Sequence, residues 1–380
     1  MSTCGDGAGV LEVVMPDDGR PTGGSLYDLR LVAALRGLGR AARTVPVAGS
    51  WPHPDAAARA RLRAALGEPA PGRTVLLDGL VGCAAPEVVD DAVRCGVPVH
   101  VLLHLPLPAE TGLGPAEAQE LGRREAAALA AATGVVVTSS WAARDLRRRY
   151  GTEGAAVAVP GTRPVPVAGG SAPPRLSCVG SLTPLKNQVL LLEALAPLVR
   201  LDWTLDLVGA PGPAGYVRTL QEAVEAFPDP ARVRRTGPLT GAALEAQWEA
   251  TDLLVLSSTA ETYGMVVAEA LAHGIPAVVP AGTGAVEALD GAPDGTGAAR
   301  DRAGAALDSA DPAAWTAVLH EWLTDPALRE RWRRRALVRR AGLRTWEDTA
   351  RDVLAALRPP VPAAGPHAPH TDPPSDTRRL

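Results

Sequence analysis

Glu261-Thr262-Tyr263-Gly264-Met265-Val266-Val267-Ala268-Glu269 is the stretch on which the reading of this chain turns. The apolar run before it, Leu253-Leu254-Val255-Leu256, has the length and continuity of a strand buried on both faces of a parallel sheet. After it an alanine-rich segment reads as a helix that stops at His273-Gly274, and Ile275-Pro276-Ala277-Val278-Val279 reads as the next strand. The unit is therefore strand, polar turn, helix, strand. One carboxylate sits where the strand ends and the other lies about one turn into the helix. Ligands of open α/β sheets bind outside the carboxyl ends of the strands, which predicts that both acids face a site. The amides of Thr262 to Met265 would open the helix and suit a phosphate or a sugar hydroxyl. Two carboxylates suit hydroxyls and not phosphate, so a nucleotide sugar fits best. The blander alternative is a helix whose acids merely favour its N-terminus.

The segment resembles the signature of the retaining glycosyltransferases of family 4, which have the two-domain GT-B fold. The resemblance implies that Glu261 meets the donor sugar's hydroxyls, with Thr262, Tyr263, Gly264 and Met265 around the donor. It implies that Glu269 holds the ribose hydroxyls of the nucleotide. It is strongest over residues 175–279 and looser through the N-terminal half.

Composition narrows the alternatives. A chain of 380 residues is long enough for two domains with separate cores. A net charge of −4 gives no case for nucleic acid as a partner. No signal-peptide pattern opens the chain and no apolar run approaches the ~20 residues that span a bilayer, so cytoplasm is the expected location. Cys4, Cys83, Cys95 and Cys178 lack a paired metal-ligand spacing and read as buried thiols. There is no Asp-x-Asp triplet, and Asp17-Asp18 and Asp90-Asp91 read as a loop and a solvated helix face. No metal site and no cofactor is therefore expected, the nucleoside diphosphate sugar acting as co-substrate.

The N-terminal half alternates strand candidates (10–15, 44–48, 74–77, 97–103, 134–138) with helix candidates (25–39, 55–66, 86–95, 115–132, 141–150), which argues for a parallel sheet covered on both faces. Residues 160–174 have the proline- and glycine-rich composition of a linker. A second series of strands begins at Arg175 and continues at 203–209, 233–237, 253–256 and 275–279, with terminal helices at 311–323 and 325–340. The expected fold class is α/β: two Rossmann-like, doubly wound parallel-sheet domains facing each other across a cleft. The resemblance implies that residues 1–168 form the acceptor side, that 169–345 bind the nucleotide sugar and that a helix at 346–358 crosses back to the first domain. Residues 359–380 read as a low-complexity, disordered tail.

Lys186 is the only lysine in the chain. Where arginine is otherwise always preferred, one ammonium suggests a compact charge for a tight phosphate site. The resemblance places a basic loop here that neutralises the donor diphosphate, with an arginine in many relatives where this chain has Ser181. Thr22-Gly23-Gly24-Ser25 follows the first strand, and its two glycines allow close backbone approach to a ligand. By resemblance, Gly23 and Gly24 reach toward the donor. His104 ends a strand at the expected rim of the cleft, and by resemblance contacts the donor sugar; its neutral ring can accept or donate a hydrogen bond. His100 reads as core. Ser139 reads as an N-cap, and Glu287 as a structural residue. Arg30, Arg36, Arg40, Arg59, Arg61 and Arg63 are better explained as solvated helix faces than as a membrane-contacting surface.

The reading that follows is a metal-independent, retaining glycosyltransferase of hexosyltransferase type, moving a sugar from a nucleotide-sugar donor to an acceptor hydroxyl. Glu261, His104 and Lys186 would act at the reacting centre. A nucleotide-sugar epimerase or sugar phosphorylase on the same fold stays open, as does a non-catalytic nucleotide-sugar-binding module.

Overall fold

The computed structural model describes residues 9–17, 19, 22–110, 112–292 and 302–358. The proposed tail at 359–380, together with Cys4 and Asp18, lies outside them. The first series of elements is β1 (Leu11–Pro16), α1 (Gly23–Gly37), β2 (Ala42–Val47), α2 (Ala56–Leu66), β3 (Thr74–Asp78), α3 (Gly79–Gly82), α4 (Pro86–Arg94), β4 (Val99–Leu103), α5 (Pro115–Ala131), β5 (Gly134–Val137), α6 (Ser140–Tyr150) and β6 (Ala156–Val157). The second is β7 (Arg175–Val179), α7 (Gln188–Leu195), β8 (Thr204–Val208), α8 (Ala214–Glu225), β9 (Val233–Gly237), α9 (Gly241–Glu249), β10 (Leu253–Val255), α10 (Met265–Ala272), β11 (Ala277–Pro280), α11 (Ala285–Asp290), β12 (Gly304–Leu307), α12 (Pro312–Thr324), α13 (Pro326–Arg340) and α14 (Trp346–Ala356).

Each series closes into a six-stranded parallel sheet, ordered β2-β1-β3-β4-β5-β6 and β12-β11-β10-β7-β8-β9. The strands are apolar throughout because both faces are covered: Val13, Val14, Leu76 and Leu77 are buried in the first sheet, and Leu253, Leu254 and Val255 in the second. The strand order reverses between β1 and β3 in one sheet and between β7 and β10 in the other. Connections leave such a point in opposite directions and open a crevice at the carboxyl edge.

Residues 160–174 join the two sheets and are anchored to the second: the Ala168 amide donates to His273, Gly170 to Glu249, and Ser171 to the Asp252 carboxylate. One part departs from its sequence reading: Cys95 is exposed, unlike the buried Cys83 and Cys178. Helix α14 packs on α1, where Ala350 and Val353 join the cluster of Tyr27, Leu31 and Leu35.

Candidate active site

On the second domain, the loops after β7 and β10 meet at the strand-order reversal. Lys186 comes from the first loop, and its Nζ lies 2.5 Å from Oε1 of Glu261, at the end of the second. The Ser258 hydroxyl donates to the same oxygen at 2.7 Å. The loops are stitched together by Ser257 Oγ donating to the Lys186 carbonyl (2.9 Å) and the Thr259 amide donating to Leu185 (2.8 Å). Glu261 is only 8% exposed, so its charge depends on this compensation. The turn that aims it is held from behind, with the Gly284 amide donating to the Glu261 carbonyl at 2.7 Å. A Cβ at Gly284 would fall 1.8 Å from the Thr262 carbonyl oxygen, so only glycine fits.

On the first domain, His104 follows β4. Its Nε2 lies 3.0 Å from Asp28 Oδ1 on α1 and 3.8 Å from Asp78 Oδ2 at the end of β3. The Leu80 amide donates to the other Asp78 oxygen at 2.7 Å, and the Tyr27 ring meets the imidazole edge-on at 5.1 Å. Gly24 lets the backbone reach the ring, since a Cβ there would sit 2.9 Å from His104 Cδ2. Burial, then the neighbouring charge of Asp28, pushes Asp78 up to about 7. Burial works against a charged His104, but Asp28 and then Asp78 outweigh it and raise its pKa.

One atom each from Asp28, Asp78 and His104 lie within 4.8 Å of one another, two of them joined by the His104–Asp28 hydrogen bond. Sequence scanning misses the group because its members come from three separate elements.

The two halves meet through the signature turn. Thr262 Oγ1 donates to the His104 carbonyl, and Ser139 Oγ donates to the Thr262 carbonyl. Ser139 also caps α6, accepting from the Ala142 amide at 2.9 Å, so its capping role is only half of its function. Glu287 accepts from the Ser140 and Trp141 amides at 3.0 and 2.9 Å, a structural bridge between the domains.

Glu269 does not join Glu261. It pairs at 2.9 Å with Arg30 of α1, whose guanidinium lies 5.7 Å from the Trp346 ring centroid, and the three line an interdomain cavity. The two acids thus face the interdomain space with different partners, because helix α10 turns the second one toward α1. Arg30 is accordingly no solvated face. Arg36 and Arg61 likewise return to backbone carbonyls, and Arg59 and Arg63 pair with Glu87 and Asp91. The structure joins Gly24, His104, Thr262, Glu261 and Lys186 in one chain of contacts across the cleft. Gly23 opens α1 beside Gly24. Tyr263 is buried, Gly264 takes a positive φ of 79°, and Met265 begins α10. Sequence reasoning does not reach Asp28 or Asp78; the one signal available for Asp78 is its place as an acid at a strand's carboxyl end.

Two parallel sheets with their strand-order reversals opposed across a cleft make the GT-B fold. Residues 173–325 match the family described as Glycosyl transferases group 1. It is similar to the D-inositol 3-phosphate glycosyltransferase of Salinispora tropica, 32% identical over 189 residues that cover 46% of this chain and 36% of that protein. It is 32% identical to the Streptomyces avermitilis protein of the same name over 302 residues, covering 72% of this chain and 61% of the relative. The chain thus spans less than two thirds of either relative. Among solved structures, sucrose-phosphate synthase from Thermosynechococcus elongatus shares the fold at TM-score 0.74 and 19% identity, covering 91% of this chain and 98% of that one. Anabaena HepE in complex with UDP and glucose shares it at 0.70 and 17%, with the same coverage.

Proposed function

We propose that this chain is a retaining, metal-independent glycosyltransferase that moves a hexose-type sugar from a nucleoside diphosphate sugar to an acceptor hydroxyl held by the first domain. The observation that carries the reading is the Lys186–Glu261 pair at the second sheet's strand-order reversal, tied through Thr262 to His104. A charged donor exchanges for this pair. Its diphosphate takes the ammonium, and its sugar hydroxyls take the carboxylate. Lys186 then offsets the charge that develops as the nucleotide leaves, the main electrostatic task of such a reaction. Glu261 and His104 orient the sugar, and Glu269 turns from Arg30 to the ribose. The turn 261–264, with Gly23 and Gly24 opposite, encloses the donor and limits its hydrolysis by water. A solved relative by fold that holds UDP and glucose is consistent with this ligand class.

No described helix is long and apolar enough to cross a membrane, and a cytoplasmic working place is part of the proposal. The test is a screen of UDP-, ADP- and GDP-sugars, with the anomeric configuration of the product read by NMR. Glu269→Ala should chiefly weaken nucleotide binding and Glu261→Ala chiefly depress turnover. Dialysis against EDTA should leave the rate unchanged. Negligible effects of both substitutions, or a rate abolished by EDTA and restored by a divalent cation, would overturn the proposal.

A further inference from the structure

His104 is held in a way that its position on the cleft rim does not require. Its Nε2 points into the first domain, at 3.0 Å from Asp28 and 3.8 Å from Asp78. Asp28 is fully buried, and its second oxygen, Oδ2, has no partner among the described hydrogen bonds. Asp78 is 3% exposed, and one of its carboxylate oxygens lies within 4.8 Å of one from Asp28. Two buried carboxylates this close make a second negative charge costly, and burial, then Asp28, push Asp78 up to about 7. Asp28 Oδ1, 3.0 Å from Nε2, is placed to accept from the ring, which selects the form that carries its hydrogen on Nε2.

That assignment fixes the rest of the ring. With Nε2 spent on Asp28, the only remaining polar atom is Nδ1, which has no partner among the described residues. The other titratable groups around the ring are Tyr27 on α1 and, behind Asp78, Cys83 and Glu125. None of them supplies a positive charge.

We infer that Asp28 and Asp78 are positioning residues for His104, holding its Nε2–H inside the first domain and leaving Nδ1 as the ring's polar atom for the incoming donor. This rests on the reading of the cleft as the donor site. The arrangement inverts the usual orientation of an Asp–His pair in a hydrolytic triad, where the carboxylate takes Nδ1 and Nε2 works.

The test is a double-mutant cycle with the full chain, using Asp28→Asn, His104→Ala and the pair. Asp28→Asn should lower kcat by about 10- to 100-fold with donor KM changed by no more than about threefold. The double variant should be no slower than His104→Ala alone. The limb of the kcat–pH profile that reports His104 should move to lower pH in Asp28→Asn, since Asp28 is what chiefly raises that group. Losses that simply multiply in the double variant would mean that Asp28 supports the fold and not the ring. Should Asp28→Asn not fold, Asp78→Asn enters the same cycle. Independently of any activity, ¹⁵N NMR should find His104 protonated on Nε2 throughout its titration, its signal identified by its loss in His104→Gln. An Nε2 without a hydrogen in the neutral form overturns the inference. Absence of any sugar transfer would defeat the donor-site reading while the NMR result still decides this one.

Discussion

Lys186 Nζ and Glu261 Oε1 meet at 2.5 Å, joining loops that leave neighbouring strands β7 and β10 on opposite sides of the sheet. The pair is three-quarters buried or more, so each charge depends on the other. Lys186→Met leaves Glu261 with the Ser258 hydroxyl alone and should cost about 1–3 kcal/mol of stability. Adding Glu261→Gln should recover part of that loss. Thermal or urea unfolding of the three variants checks it, and strictly additive losses would show that the two groups do not compensate each other.

Arg30 competes for the carboxylate that the nucleotide ribose is proposed to use. Its side chain is about one-third exposed, and such pairs contribute at most ~1 kcal/mol. Arg30→Gln should therefore improve nucleoside diphosphate affinity by only about two- to fivefold, measured by calorimetry. A clear loss of affinity would instead make Arg30 a ligand of the nucleotide.

Two glycines should respond oppositely to the same change. Gly284→Ala would drive a Cβ into the Thr262 carbonyl at 1.8 Å, displacing the turn that aims Glu261. A loss of about 2–4 kcal/mol and a fall in turnover are expected, as for other forced overpacking. Gly215, in the first turn of α8, has nothing within 4 Å of its added Cβ. Gly215→Ala should stabilise by about 0.4–1 kcal/mol through the unfolded chain. Equal Tm values for the two variants would contradict this contrast.

Stability should also depend on the buried acids. Asp78 is pushed up to about 7, chiefly by burial. The folded chain thus keeps a proton that the unfolded chain loses near pH 4, and the group's contribution weakens as pH rises from about 4 to 7. His104 is raised as well, so its contribution is full at low pH and is lost as pH climbs through its folded pKa. Both run in the same direction. Relative to wild type, Asp78→Asn should gain stability at pH 8 compared with pH 5, by on the order of 1–3 kcal/mol. Unfolding titrations at the two pH values check the sign.

Much of this architecture is readable from residues because central parallel strands are apolar on both faces. Leu253 to Val255 and Val99 to Leu103 announce themselves, and Val233 to Gly237 is found to the residue. Strand β12 is not, since Gly-Ala-Ala-Leu carries almost no strand signal, and α7, α8 and α9 lie in alanine- and leucine-rich stretches without sharp boundaries. At the site, Lys186 is conspicuous as a solitary lysine, and Glu261 by its place at a strand end. The Asp28–His104 pair is hidden because its members are 76 positions apart and only the fold of the sheet joins them. Arg30 is hidden differently: among so many arginines, nothing local distinguishes the one that crosses the cleft.

The most direct measurement is calorimetric titration of wild type and Lys186→Met with UDP, ADP and GDP. One nucleoside diphosphate should bind wild type at micromolar concentration, with its Kd raised about tenfold or more in Lys186→Met and not rescued by Lys186→Arg, whose planar guanidinium does not replace a compact ammonium. Failure of all three to bind, or a Kd indifferent to Lys186, would contradict the account.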